Sequence, residues 1–368
     1  MWAAIFLTVI SLFGLCIFYL ITRFRKLYIV NRLAGTKKGF KTLFAFIFLI
    51  LIVALSTLLL SFVNAVIIIL HIAVFWLIAD LILFICRKFK KDLELKKLCL
   101  SGILAFSITA VYLSIGAYLC YHVFETKYDI TTTKNIEPIR VGLIADSHTG
   151  TTFNGVGLGE ELERLQAASP DVLVVSGDLV DDSTTFEDMI NTCASLGDFK
   201  CRYGVYYVFG NHDRGYYAAE RRGYDEQRLV DELIKNNVKV LKDDVVYITD
   251  DVVLIGRDDA SARHRQNITD LVSDIPSDKY MIVMNHQPND YNNEAVANVD
   301  LVLSGHTHGG QLFPANYVGE WIGANDATYG YSKRGNTNFI VTSGISDWEI
   351  KFKTGCASEY VIIDINKE

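Results

Sequence analysis

A layered α/β or α+β sandwich behind a helical membrane region is the fold class the sequence predicts, on three observations. Residues 1–124 hold four apolar stretches, at about 2–21, 43–61, 65–86 and 98–121, each long enough for a bilayer core that takes about 20 helical residues. From residue 138 the pattern changes to short apolar runs alternating with helical or loop segments, which marks layered sheets and helices and not a bundle. Charge divides the same way: residues 1–125 carry four acidic and thirteen basic side chains, leaving 38 of the 42 acidic and 22 of the 35 basic ones to the remainder. The C-terminal part therefore has a net charge near −16, the wrong sign for gripping a phosphate backbone, so no nucleic-acid partner is expected.

The first apolar stretch reads as a retained span and not a secretory signal. Its N-terminus has no basic residue, and no small-residue cleavage site precedes Arg23 and Arg25. The second and third are joined by a tight connection at Phe62, Val63 and Asn64, a helical hairpin. Basic residues fill the first loop (Arg23, Arg25, Lys26, Arg32, Lys37, Lys38, Lys41) and the third (Arg87, Lys88, Lys90, Lys91, Lys96, Lys97) but not the second. By the positive-inside rule those loops are cytoplasmic, and the C-terminal part faces the extracytoplasmic side of the cell membrane. Asp80, inside the third stretch, is the only support for a transport role.

A polar linker is expected over 125–137 and a second domain over 138–368. Its expected strands are 140–145, 171–176, 204–209, 252–255, 280–284, 301–304, 339–342 and 360–365, and its expected helices 158–168 and 226–236. Cys193 and Cys201 are placed for a disulfide or as free thiols; Cys16, Cys86, Cys99 and Cys120 read as small apolar residues of the spans.

Polar residues with metal-ligand chemistry stand directly after five of these runs: Asp146-Ser147-His148, Gly177-Asp178, Gly210-Asn211-His212-Asp213, Asn285-His286, and Gly305-His306-Thr307-His308. Singly, each is a turn. Jointly they bring five of the chain's eight histidines to the carboxyl ends of strands, where α/β sheets bind ligands. A mixture of carboxylate, amide and imidazole suits Mn²⁺, Fe or Zn²⁺ better than Ca²⁺.

The five blocks resemble those of the calcineurin-like metallophosphoesterase superfamily, and the run Gly305-His306-Thr307-His308-Gly309-Gly310-Gln311 is most similar to its YkuE/YaeI-like bacterial membrane-associated branch. The resemblance covers about 138–368. It implies a four-layer sandwich with two central mixed β-sheets flanked by helices. It also implies two divalent metal ions, Mn²⁺ first and Fe or Zn²⁺ as alternatives, held by Asp146, His148 and His308 on one side, by Asn211, His286 and His306 on the other, and bridged by Asp178. His212 would then be the general acid, with Asp213 orienting its ring. Asp181 and Asp182 are expected to cap a helix, with support of the metal ligands as the alternative. Arg214 and Tyr216 are the expected substrate contacts. Residues 312–338, with Phe313, Tyr317, Trp321, Tyr329 and Tyr331, are expected to form a lid, a membrane-facing lip or a packed loop.

The function so implied is metal-dependent phosphoester hydrolysis at a membrane. A lipid-linked or cell-envelope substrate is expected, by analogy with branch members acting on acylated UDP-glucosamine. A phosphodiesterase for soluble nucleotides or glycerophosphodiesters, with the membrane only a tether, is the alternative. A receptor or scaffold that keeps the metal fold for binding belongs to another class, and the complete set of ligand types argues against it.

Overall fold

The computed structural model describes residues 2–89, 100–217 and 219–368. Asp92, Glu94, the basic residues Lys90, Lys91, Lys96 and Lys97, Cys99 and the expected start of the fourth span at 98 lie outside the described residues. The chain divides into two units, one running to Gly116 with Glu349–Lys351 added, the other Ala117–Trp348 with Phe352–Glu368.

The first unit is built of α1 (Trp2–Phe24), α2 (Tyr28–Ala34), α3 (Lys38–Leu59), α4 (Phe62–Phe89) and most of α5 (Leu100–Tyr121). Among the described residues, three helical stretches are long and apolar enough to cross a membrane, Lys38–Leu59, Phe62–Cys86 and Ser101–Tyr121, and they match the second, third and fourth of the four expected spans. The first expected span is helical as α1, Trp2–Phe24, and its described side chains run from Ser11 to Phe24. Phe24, Leu49, Ile72, Trp76 and Ala105 form an inner cluster, and the Trp76 indole donates to Ser101 Oγ at 3.1 Å. Leu51, Leu58 and Phe84 point outward and are exposed, an arrangement suited to lipid and not to water. Asp80 pairs with Arg23 at 2.7 Å and accepts from Tyr19 Oη at 3.0 Å, which gives the transport candidate a structural role.

The second unit holds twelve strands among the described residues: β1 (Phe124–Thr132), β2 (Ile139–Ile144), β3 (Val172–Ser176), β4 (Val205–Val208), β5 (Val238–Leu241), β6 (Asp244–Tyr247), β7 (Val252–Gly256), β8 (Tyr280–Met284), β9 (Leu301–Ser304), β10 (Gly330–Arg334), β11 (Thr337–Val341) and β12 (Glu359–Lys367). Its helices are α6 (Gly155–Ala167), α7 (Phe186–Asp198), α8 (Glu226–Lys235), α9 (Ile268–Leu271), α10 (Tyr291–Val296) and α11 (Val318–Trp321). Two six-stranded mixed sheets result, ordered β1-β12-β2-β3-β4-β5 and β10-β11-β9-β8-β7-β6. One core layer lies between the sheets around Val141, Val174, Tyr206, Leu254, Ile282 and Leu303. A second packs α6, α7 and α8 on the first sheet through Leu162, Leu165, Met189, Leu196 and Leu229. A third packs α9 and α10 on the other sheet through Val253, Ile268, Val283 and Tyr291. This is the expected four-layer sandwich, each all-buried parallel strand covered on both faces.

Most of the expected linker is not a linker. Residues 124–132 form β1, which runs parallel to β12 in register from Phe124↔Glu359 to Thr132↔Lys367. Alternation explains it, because Phe124, Thr126, Tyr128 and Ile130 face inward while Glu125, Lys127, Asp129 and Thr131 face water. Helix α7, for which the sequence offered a cap but no bounds, begins later than expected, where Thr185 caps it by accepting from Asp188 N. Cys193 is buried and Cys201 half-buried, and both are free thiols.

Candidate metal centre

Strands β2, β3, β4, β8 and β9 all release their chains at one rim, and the turns that follow are tight. The backbones of Asp146, His148, Asp178, His306 and His308 all take positive φ, between 37° and 73°. Such conformations cost about 1–3 kcal/mol per non-glycine residue and persist where the surroundings over-determine them. Here Asp146 N donates to Gly177 O, His148 N to Asp178 O and Gly305 N to His286 O. Two glycines permit the close approach: a Cβ at Gly210 would lie 2.1 Å from Asp178 Oδ1, and one at Gly305 2.6 Å from Asp146 Oδ2.

Two groups of side chains result, Asp146 with His148 and His308, and Asp178 with His286 and His306; within each, the ligand atoms lie within 4.8 Å of one another. Asp178 Oδ2 reaches toward both, 3.2 Å from His286 Nε2 and 3.6 Å from His148 Nε2. Asn211 Oδ1 stands 3.2 Å from His286 Nε2. The His148 and His308 rings stack at 5.2 Å, and those of His286 and His306 meet edge to face at 5.2 Å. Asp146, His148, Asp178 and His286 are fully buried.

Burial of so many ionisable groups shifts them strongly. Burial alone would lower His286, but the Asp178 charge and hydrogen bond outweigh it and push the imidazole up to about 10. Asp178 is held well below the carboxylate range; burial would raise it, and His286 and His148 overcome that. Burial raises Asp146 to about 6, and burial together with the His286 charge lowers His306 to about 4. His148 Nε2 and His308 Nδ1 are buried without a hydrogen-bond partner among the described residues. Buried polar atoms are otherwise almost always paired, and nitrogen and carboxylate donors converging in this way fit divalent cations of the Mn²⁺, Fe and Zn²⁺ kind.

A family model for the calcineurin-like phosphoesterases matches residues 139–310, the segment that carries every one of these groups. A metallophosphoesterase of Aquifex aeolicus is 30% identical over 55% of this chain and 78% of its own length. The chain belongs to the calcineurin-like metallophosphoesterase family. One of Campylobacter jejuni is 28% identical over 79% of this chain and 76% of its own. A zebrafish transmembrane protein with a metallophosphoesterase domain is 30% identical over 49% of this chain, which spans 43% of that longer relative. As a calcineurin-like metallophosphoesterase, the protein is a metal-dependent phosphoester hydrolase.

Around the centre of this metallophosphoesterase, several roles differ from those expected. Asp213 does not orient His212: one carboxylate oxygen accepts from Asp178 N and Gly210 N at 2.8 and 2.6 Å, the other from Val180 N at 3.0 Å. It fixes the backbone that carries Asp178 and Asn211. The His212 imidazole is lowered, chiefly by burial; its backbone N–H donates to Asp178 Oδ1 at 2.8 Å, and its ring lies 5.0 Å from those of His148, Tyr216 and Trp348. Asp181 does not cap α7 but stands 3.3 Å from His148 Nδ1, the place of a carboxylate that orients a ligating imidazole. Asp182 receives the amides of Tyr216 and Tyr217.

Arg214 is not available to substrate. Its guanidinium bonds Asp258 at 2.5 Å and Glu226 at 3.2 Å and lies over the Phe209 ring. Tyr216 does reach the centre, its hydroxyl 2.7 Å from Asn211 Nδ2. The Asn211 amide nitrogen donates there, which leaves Oδ1 for the His286 side. Tyr329 and Tyr331, expected in a lid or lip, donate instead to Glu359 and Asn338. The sequence reading missed Asp347, whose Oδ1 lies 3.7 Å from His308 Nδ1 and accepts from Gln311 Nε2 at 2.5 Å. Its signal is weak, since it stands six residues past the end of β11, whereas the ligand residues stand two to four past theirs.

Proposed function

We propose that the protein is a membrane-anchored phosphoesterase whose centre takes two divalent cations, Mn²⁺ foremost, and hydrolyses a phosphoester or pyrophosphate bond in a lipid-linked or cell-envelope compound on the extracytoplasmic side. Asp146, His148 and His308 would hold one cation and Asn211, His286 and His306 the other, with Asp178 shared. The observation that carries this reading is the position of Asp178 Oδ2, within 3.6 Å of an imidazole nitrogen from each group. Bound there, such a pair supplies Lewis acidity toward phosphoryl oxygens and a hydroxide nucleophile near neutral pH.

The chain's own residues do the remaining work. Asp181, 3.3 Å from His148 Nδ1, orients that imidazole, Ser176 O, 2.8 Å from His286 Nδ1, does so for His286, and the Asp347 carboxylate adds negative charge 3.7 Å from His308. The half-buried His212 gives its proton to the leaving oxygen, and the lowered pKa makes it a readier donor once protonated. Tyr216 and Trp348, exposed on either side of it, offer apolar surface to the leaving group.

The test is hydrolysis of bis(4-nitrophenyl) phosphate and 4-nitrophenyl phosphate by the full chain, chelated and then resupplied with Mn²⁺, beside His212→Ala. Metal-dependent turnover that falls about 10²–10⁴-fold in His212→Ala fits a general acid. Turnover unaffected by chelation sinks the two-cation reading. Soluble nucleotides or glycerophosphodiesters turned over far faster than any amphiphile would replace the lipid-linked substrate with the tethered phosphodiesterase.

A further inference from the structure

Beyond His308 and the turn at Gly310, the chain runs through Leu312–Gly323, a stretch whose single charged residue is Glu320. Its base is fixed. Asn316 is buried, its backbone oxygen 2.0 Å from where a Cβ on Gly310 would stand, and Phe313 N donates to Thr354 Oγ1 at 3.0 Å. Its apolar side chains are turned out: Trp321 is 73% and Phe313 60% exposed, with Tyr317, Val318 and Ile322 exposed beside them. Elsewhere this unit is strongly acidic, so an uncharged aromatic patch on it is out of keeping with a surface that meets only water. Burying a large apolar side chain yields about 1.5–3 kcal/mol, and contiguous exposed apolar patches mark interaction sites.

Two features select lipid as the occupant. The last membrane-length helix ends at Tyr121 and β1 begins at Phe124, which leaves about 10 Å of extended chain between them, so on the membrane-anchored reading the tether itself is short. The side chains themselves, Trp, Tyr and Phe with aliphatic neighbours, are those that settle at the boundary between headgroups and acyl chains.

We propose that Leu312–Gly323 is an interfacial lip that inserts Phe313, Tyr317, Trp321 and Ile322 into the lipid bilayer. This rests on the membrane-anchored reading above. The lip follows His308 by four residues, so a substrate held in the membrane need not pass fully into water to reach the centre. Because the lip carries only one charged residue, Glu320, its insertion is apolar and does not weaken when salt is added.

The test places p-benzoylphenylalanine by Trp321→p-benzoylphenylalanine, by Phe313→p-benzoylphenylalanine, and by Val296→p-benzoylphenylalanine as a control that is 79% exposed on α10. Each full chain is reconstituted in vesicles of phosphatidylethanolamine and phosphatidylglycerol, irradiated, and analysed for lipid adducts by mass spectrometry. Retention of Mn²⁺-dependent hydrolysis of a soluble ester certifies each fold. The expected result is a lipid-adduct yield at 321 and 313 several-fold above that at 296, and not lowered by 0.5 M salt. Equal yields at all three positions, in chains that resist alkaline carbonate extraction, overturn the lip and leave the anchor standing. Chain-to-chain adducts at 321 overturn it in favour of a second copy. Release of the chain by carbonate refutes the anchoring reading and the lip with it.

Discussion

At the scale of single residues, the centre is set by which atoms are already spent. Arg214 looked like a phosphate ligand by type and place, yet Asp258 and Glu226 occupy it. Tyr216 looked equally generic, yet its hydroxyl receives the Asn211 amide nitrogen and so decides which end of that amide faces His286. Tyr216→Phe keeps the ring beside His212 and removes only this acceptor. Loss of such a supporting contact typically costs 10–100-fold in metal affinity. Isothermal titration with Mn²⁺ should therefore show about a tenfold weaker second binding event, with the first unchanged.

Proton linkage belongs to the same scale. His286 is raised to about 10 by Asp178 against the effect of burial, so in the metal-free protein it carries a proton at neutral pH. A raised value adds stability in full below the unfolded value of about 6.5, and that stability is lost as pH climbs through about 10. A cation must displace this proton to reach Nε2. Binding at pH 7.5 should release about one proton, read from titration heats in buffers of different ionisation enthalpy, and affinity should rise with pH between 7 and 9. Affinity that falls with pH over that range would refute this account of His286.

At the scale of elements, the sequence was legible where a strand is covered on both faces and obscure where it is not. Strands β2, β3, β4, β7, β8, β9, β11 and β12 announced themselves as continuous apolar runs, and because the ligand blocks follow five of them, most of the centre was legible too. Strands β1, β5, β6 and β10 stayed hidden because they lie at sheet edges. One face of an edge strand meets water, and charged residues such as Glu125, Lys127 and Asp129 mask the alternation. Asp347 was missed, and Asp181 was named without its partner, for a related reason: each stands beside a histidine distant in sequence, and only the fold shows the pairing.

The edge strand β1 has a practical consequence. Removing residues up to Thr132 would strip β12 of its parallel neighbour along nine registered positions and expose a new sheet edge. A catalytic fragment beginning at residue 133 is expected to aggregate, whereas one beginning at residue 122 stays monomeric by size-exclusion chromatography. Equal behaviour of the two fragments would show that β1 is dispensable.

At the scale of the whole molecule, the chain joins apolar helices of membrane length to an acidic hydrolase sandwich. The net charge near −16 that excluded nucleic acid also favours divalent cations near the second unit, and inside it two carboxylates and four imidazoles meet at one rim, both carboxylates and two of the imidazoles fully buried. That concentration of donors, several of them unpaired or forced into shared protons, has a simple explanation in two cations sharing Asp178. The measurement that tests it most directly is metal content per folded chain by inductively coupled plasma mass spectrometry after Mn²⁺ loading and desalting, for the native protein and Asp178→Asn. The account predicts two ions per native chain and one or fewer in Asp178→Asn, with the variant still folded by circular dichroism. A native chain that holds one ion, or an Asp178→Asn chain that keeps two, would contradict it.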